Sequence, residues 1–228
     1  GRNLATDLRR RFGAALGRAG WLSLHWPPEF GGAGLDASWR IPVLEELVRL
    51  GAPEPMNSNA LGILAPTLIR FGTQEQCRRL LPPMVAHDTV WCQGFSEPGA
   101  GSDLASLSTR GVVVGDELVI TGQKVWTSHA AIAESCYLLV RTELAEKKHD
   151  GISLVVLDLD QPGVEVRPLR NIVGTEEFCE VFFDEAEAPL TNVVGTRGQG
   201  WSMAMYALEQ ERSSALAQRS LVLAQEFD

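Results

Sequence analysis

The segment with the densest set of small polar side chains is Trp91–Asp103, in which an apolar run leads into a turn. Gly99 and Gly101 would let a ligand approach the backbone of this turn closely. The hydroxyls of Ser96 and Ser102 are donors suited to a phosphate or a ring carbonyl. The same composition is also typical of an ordinary β-turn. The residues alone therefore leave two interpretations open, a ligand-binding turn and a purely structural one.

A second segment, Gly122–Ser128, places the indole of Trp126 beside the hydroxyls of Thr127 and Ser128 at the end of a predicted strand. These side chains could line a binding site. A tryptophan in a strand is also commonly part of a hydrophobic core. The sequence of this segment alone does not separate the two interpretations.

Several classes of function are excluded by composition and by missing motifs. The 20 Lys and Arg residues against 29 Asp and Glu give a net charge of −9, which argues against nucleic acid as a partner. No GxGxxG, GxxxxGK[ST] or GxSxG motif is present. The longest apolar run, Ile152–Leu157, is far too short for a membrane span.

The cysteines and histidines predict neither a zinc site nor a disulfide framework. The histidines show no HxxxH or HxxH spacing, and the cysteines are far apart with no CxxC pair (Cys77, Cys92, Cys136 and Cys179). Free thiols and the absence of a targeting signal favour a cytoplasmic location. The chain opens on Gly rather than Met and stops inside a predicted helix, so we expect a fragment.

The elements that must position these motifs follow a helix–strand–helix order. Apolar spacing predicts helices from Leu4 to about Gly20, over 39–50 and over 57–70, and a capping box of Thr73 and Gln76 begins another that ends near Pro82-Pro83. Eight short apolar stretches separated by turn residues follow: 90–95, 106–114, 117–121, 124–127, 136–141, 152–158, 164–168 and 179–184. Helical spacing returns from Gly200.

The predicted fold class is α+β multidomain. It comprises an N-terminal helical domain over 1–89, an antiparallel β-barrel or sandwich as the middle domain over 90–196, and over 197–228 the first helix of an incomplete C-terminal helical domain.

The pair of motifs resembles the acyl-CoA dehydrogenase family. Ser96–Asp103 and Gly122–Ser128 are similar to that family's two central motifs, and they occur in its order. Pro28–Gly34, Phe71–Gln76 and Val181–Asp184 are similar to further family landmarks. The resemblance implies a helical, a β and a second helical domain that hold FAD between subunits.

The resemblance also implies roles for residues of the first motif. The segment from Gln93 to Ser96 would lie along the flavin ring, with the Ser96 hydroxyl hydrogen-bonded to the isoalloxazine and Phe95 in apolar contact. Ser102 matches a serine near the FAD pyrophosphate or the bound thioester substrate.

For the second motif, the resemblance implies that Trp126 packs against the flavin and that Ser128 bonds its N5 region. Such contacts tune the electron affinity of the ring and exclude water from the reacting face.

The family reaction is α,β-desaturation of an acyl-CoA thioester, in which a carboxylate removes the α-proton and the β-hydrogen leaves as hydride to flavin N5. Glu211, directly before Arg212, resembles the base of a subset of the family. Helical spacing places Glu211 on a face that is mostly apolar (Ala204, Ala207, Leu208, Ala215 and Val222). The alternative is that Glu211 is structural and the base lies beyond the end of this chain.

Three functions are compatible with the resemblance. The first is an FAD-dependent acyl-CoA dehydrogenase of lipid metabolism, with an electron-transfer-flavoprotein-like acceptor and a homotetramer or another oligomer of related subunits as its assembly. The second is an acyl-CoA oxidase or flavin monooxygenase on the same fold. The third is a partner subunit that is non-catalytic or completes the active site of a related chain.

Overall fold

A computed structural model describes the backbone of residues 4–227 and the side chains of residues 4–212, 220, 221 and 223. The chain forms two compact units. One takes in the segments up to Arg70, Cys77–Thr89 and from Tyr206 onward, and the other takes in Phe71–Gln76 and Val90–Met205. The predicted fold class is confirmed: an N-terminal helical region precedes a curled β domain, and a helix follows it. The predicted domain boundaries stay a prediction.

The helical elements agree closely with the apolar spacing. They are α1 (Leu4–Arg18), α2 (Arg40–Arg49), a π-helical segment (Ala60–Leu64), α3 (Ala65–Phe71), α4 (Gln74–Val85) and α5 (Gly200–Phe227). The capping box is confirmed, because Thr73 N–H donates to Gln76 Oε1 over 2.9 Å and Gln76 N–H donates to Thr73 Oγ1 over 3.1 Å. Gln76 Nε2 also donates to the carbonyls of Thr191 and Val193, which anchors this helix start within the β unit.

Seven strands form one sheet in the order β1-β4-β2-β3-β7-β6, and β5 pairs with β4. They are β1 (Trp91–Gly94), β2 (Arg110–Val114), β3 (Glu117–Ser128), β4 (Ser135–Arg141), β5 (Ile152–Asp158), β6 (Val164–Leu169) and β7 (Phe178–Pro189). Most neighbouring strands are antiparallel, as expected, but β1 and β2 each pair with β4 in parallel. Two of the eight predicted strands are parts of the single strand β3.

The inner face of the sheet carries the core of the β unit. Leu118 and Ile120 of β3, Leu138 and Val140 of β4, and the facing residues of β5 and β7 are buried together. All four cysteines are free and buried. Among the described residues, no helix is long and apolar enough to cross a membrane.

Candidate functional site

A buried ion pair joins the two sequence motifs. Glu97 follows Ser96 in the first motif, and Lys124 lies in the second. Lys124 Nζ donates to Glu97 Oε1 over 2.8 Å, and the two side chains are only 0% and 4% exposed. The same ammonium donates to the carbonyl of Phe95 over 3.1 Å. The pair therefore fixes the end of β1 against the middle of β3.

The Glu97 carboxylate accepts three further hydrogen bonds. Ser108 donates through its N–H over 2.7 Å and through its hydroxyl over 2.8 Å, and Thr109 donates its N–H over 2.9 Å. A carboxylate surrounded only by donors is stabilised in its charged form. Glu97 thus binds two parts of the chain: β3, through Lys124, and the residues directly before β2, through Ser108 and Thr109.

The pKa of Glu97 reflects this balance. Burial by itself raises the pKa of the carboxyl, but the Lys124 ammonium and the hydrogen bonds from Lys124, Thr109 and Ser108 outweigh burial and lower it to about 2. Burial lowers the pKa of Lys124, against the opposing effect of Glu97. The pair is charged, because four donors face the carboxylate and none of its contacts requires a proton on Glu97.

Trp126 is presented to the surface by a β-bulge directly after this ion pair. Between the β3–β7 register positions Lys124↔Val181 and Thr127↔Cys179, β3 has two residues where β7 has one. Trp126 has a φ of +58°, which is strained for a residue with a large side chain. Its side chain is 63% exposed, so the interpretation of Trp126 as a core residue is wrong.

The bulge lies next to the end of the first motif. The N–H of Val125 donates to the carbonyl of Ser96 over 2.9 Å, so Trp126 follows immediately after a residue bound to Ser96. Ser128 is half-buried and pairs with Phe178, whose ring meets the edge of Trp126 with 6.0 Å between centroids. Ser96, two residues after the end of β1, thus lies beside the segment of β3 that carries Trp126 and Ser128.

Gln93 lies in β1 and Phe95 directly follows that strand, whereas Ser102 is in an exposed turn. Gln93 is half-buried and accepts a hydrogen bond from the Tyr137 hydroxyl over 2.8 Å. Phe95 is 4% exposed and packs edge-on against Tyr137, with 5.9 Å between centroids.

The glycines of the turn have no evident role within the protein. Reciprocal backbone hydrogen bonds between Glu97 and Ala100 close the turn. A Cβ atom added at Gly99 or Gly101 would meet nothing within 4 Å, and neither residue has a positive φ. Packing and turn geometry therefore do not require glycine at either position, which favours close approach by a ligand from outside.

Glu211 lies on α5, apart from the β-strand residues in sequence. Its side chain is half-buried, and Ala204 and Ala207, two turns and one turn before it, are 0% and 2% exposed. The predicted apolar face is thus present up to Glu211, while the side chains of Ala215 and Val222 lie outside the described residues. Among the described residues, no cluster of His, Cys, Asp or Glu could hold a metal ion.

The sequence analysis missed the roles of Glu97 and Lys124. A signal for the lysine was present, because Lys124 follows Leu118 and Ile120 at two-residue spacing and so shares their buried face. A lysine on a buried face requires a partner, but nothing in the spacing identified Glu97.

The fold is an N-terminal helical region, a curled β domain and a following helix, and comparison with known proteins names its family. The chain belongs to the acyl-CoA dehydrogenase family. The model of the family's N-terminal domain matches residues 4–88, and the model of its middle domain matches residues 92–186.

Three relatives illustrate the similarity. Acyl-CoA dehydrogenase IpdE1 of Mycobacterium tuberculosis is 46% identical over 98% of this chain, which spans 58% of that protein. A structure described as the Tcur3481-Tcur3483 steroid ACAD has a TM-score of 0.85 and 34% identity, covering 95% of this chain and 55% of that one. The ChsE4-ChsE5 complex from Mycobacterium tuberculosis has a TM-score of 0.79 and 37% identity, covering 89% and 52%.

Replacing Lys124 with Met tests the ion pair. We expect a loss of about 3–5 kcal/mol in the free energy of unfolding, because a buried carboxylate loses its cation. Lys148→Met is the matched control, since Lys148 Nζ lies 2.6 Å from Asp103 but both side chains are about half exposed. Chemical denaturation measures both variants. Equal, small losses would contradict a structural role for the buried pair.

The depressed pKa of Glu97 predicts an acid-sensitive stability. Its pKa is lowered from 4.5 to about 2 in the folded state, so the stabilisation is fully present above about pH 4.5 and is lost as the pH falls towards 2. The shift corresponds to about 3 kcal/mol. Denaturation midpoints between these pH values should fall less steeply in Glu97→Gln than in the wild type. Glu165→Gln, which removes an exposed carboxylate paired with Arg167, should change the slope much less than Glu97→Gln does.

Proposed function

We propose that the protein carrying this chain is an FAD-dependent acyl-CoA dehydrogenase. The observation that carries the proposal is the exposed Trp126 indole, held on a strained bulge beside Ser96 by the buried Glu97–Lys124 pair. A large aromatic surface exposed to water and supported by strained backbone is a feature of binding sites. Membership of the family makes FAD the cofactor to expect there.

The residues present fit a flavin. Trp126 offers an indole face, Ser96 and Ser128 offer hydroxyl donors on adjacent segments, and the glycines of the Ser96–Asp103 turn leave open space for a phosphate group. Gln93, Phe95 and Ser102 would complete the contacts of the first motif. The flavin, when bound, supplies the acceptor for the hydride that leaves the β-carbon.

Glu211 is our candidate for the catalytic base. Its carboxylate would remove the proton from the α-carbon of the thioester while the β-hydrogen leaves as hydride, so that a Cα=Cβ double bond forms. The buried Ala204 and Ala207 precede it on its face of α5.

The substrate and the assembly are further parts of the proposal. The relative described as a steroid ACAD makes an acyl-CoA with a steroid ring system the first substrate to test. Two similar structures carry the names of two different chains, which favours a hetero-oligomer of related subunits over a homotetramer. We propose an electron-transfer flavoprotein as acceptor and, since all four cysteines are free thiols, the cytoplasm as location.

A partner subunit is the second candidate function, and the two-chain names of the similar structures favour it. In that case this chain would complete the flavin site of a related chain. Flavin content of each chain purified alone and after mixing separates the two, because a partner subunit would be colourless alone.

Trp126→Ala tests the flavin site. We expect the wild-type protein to bind FAD and to be bleached anaerobically by its acyl-CoA substrate. The variant should bind FAD about tenfold more weakly, because stacking on an aromatic side chain contributes about 1–3 kcal/mol. Trp39→Ala is the control, since Trp39 is 54% exposed and lies in the helical unit. Titration of the apoprotein with FAD measures both variants, and unchanged affinity in Trp126→Ala would contradict the site.

Glu211→Gln tests the catalytic base. The variant should retain FAD and show a fall in kcat of about 10²- to 10⁴-fold, the usual contribution of a general base. Glu209→Gln, an exposed carboxylate two residues earlier on α5, should keep wild-type turnover. Near-normal turnover of Glu211→Gln with FAD bound would place the base elsewhere.

A further inference from the structure

A buried tyrosine lies directly behind the first motif. Tyr137 of β4 is in register with Gln93 of β1, and the two strands are parallel, so the two side chains lie on the same face of the sheet. Tyr137 is 1% exposed. A phenol hydroxyl buried to this degree requires a hydrogen-bond partner.

Gln93 supplies that partner through one particular atom. The Tyr137 hydroxyl donates to Gln93 Oε1 over 2.8 Å. Because the amide group is planar, engaging its oxygen with Tyr137 directs its NH₂ group away from the tyrosine. Among the described residues, Gln93 Nε2 donates no hydrogen bond, and the side chain is half-buried rather than enclosed.

The ring of Tyr137 is fixed as well. It packs edge-on against Phe95, two residues after Gln93, at 83° between the ring planes. Phe95 is fixed in turn through its carbonyl, which accepts from Lys124 Nζ. The tyrosine hydroxyl therefore cannot move away from Gln93 without disturbing the packing around the ion pair.

We propose that Tyr137 is a positioning residue that makes the Gln93 amide a hydrogen-bond donor to an acceptor atom of the bound flavin ring. This inference rests on the proposed function. The rim of an isoalloxazine carries carbonyl oxygens and an unprotonated ring nitrogen, which need donors. An amide oxygen pointing the same way would repel them. Without Tyr137 the amide could present either group, and the donor orientation would be only partly populated.

The inference also predicts a direction for the redox chemistry. A fixed donor at an acceptor atom of the ring stabilises the electron-rich, reduced form of the flavin more than the oxidised form. Loss of the Tyr137 hydroxyl should therefore lower the midpoint potential of the flavin. A purely structural role of Tyr137 in the core would change protein stability without a directed change in potential.

Tyr137→Phe removes the hydroxyl and keeps the ring against Phe95. We expect FAD to bind about threefold to tenfold more weakly, the effect of one hydrogen bond of about 0.5–1.5 kcal/mol, and the midpoint potential to fall. Tyr206→Phe is the matched control. Tyr206 is the other tyrosine of the chain, lies under Arg70 in the helical unit, and should change neither quantity.

A double-mutant cycle shows whether Tyr137 acts through Gln93. In a Gln93→Leu background, Tyr137→Phe should have no further effect on FAD affinity, because the amide that it positions is gone. Additive effects in the cycle would overturn the inference. So would unchanged affinity and potential in Tyr137→Phe.

Gln93→Glu provides a test that does not alter the tyrosine. A carboxylate can still accept from Tyr137 but has no N–H to donate, so FAD affinity should fall at neutral pH as it does in Gln93→Leu. Wild-type affinity in Gln93→Glu would overturn the donor role. If the wild-type protein itself binds no FAD, the proposed function fails together with the inference. If the wild type binds FAD and the Tyr137 and Gln93 variants bind it equally well, only the inference fails.

Discussion

The buried ion pair between Glu97 and Lys124 is the interaction on which the candidate site depends. Removing two charges from water is unfavourable, and their attraction compensates only when the geometry is good and the remaining hydrogen-bonding groups are satisfied. Here the carboxylate accepts from Lys124, Ser108 and Thr109, and the ammonium also reaches the carbonyl of Phe95. An apolar pair could fill this volume, but it would leave the donors of Ser108 and Thr109 without an acceptor.

The position of the pair explains why two motifs separated in sequence act as one. Glu97 directly follows Ser96, and Lys124 precedes the bulge that presents Trp126. The strain of a positive φ at Trp126 requires a surrounding structure that holds it in place. The ion pair at Lys124 and the hydrogen bond from Val125 N–H to the Ser96 carbonyl, both directly before Trp126, supply that support. The buried ion pair thus both stabilises the sheet and supports the bulge that exposes the Trp126 indole.

Local sequence patterns predicted much of the fold, and long-range contacts account for what they missed. Apolar spacing placed the helix at Leu4–Arg18, and the capping box at Thr73 placed the start of α4. The joining of two predicted strands into β3 was missed, because the apolar pattern is interrupted at Gly122, whereas in the structure the strand continues through Gly122 at a shift in its register with β7. The parallel pairing of β1 with β4 was also missed, because it brings together segments more than forty residues apart.

For the candidate site too, only part of the set of residues could be predicted from the sequence. The resemblance suggested Ser96, Trp126 and Ser128 as site residues, and in the structure Ser96 lies beside the β3 segment that carries the other two. It did not identify the residues behind them, because a lysine and a glutamate 27 positions apart show their relationship only once the strands are paired. The tyrosine hydroxyl on Gln93 likewise depends on strand register, which single-sequence patterns do not set.

The most direct test of the central claim is a crystal structure of the protein with FAD bound. We expect the isoalloxazine ring against the Trp126 indole, with its polar edge within hydrogen-bonding distance of Ser96 and with the Glu97–Lys124 pair intact behind it. A flavin bound elsewhere on the chain, or a Trp126 side chain packed into the core with the pair separated, would contradict the account.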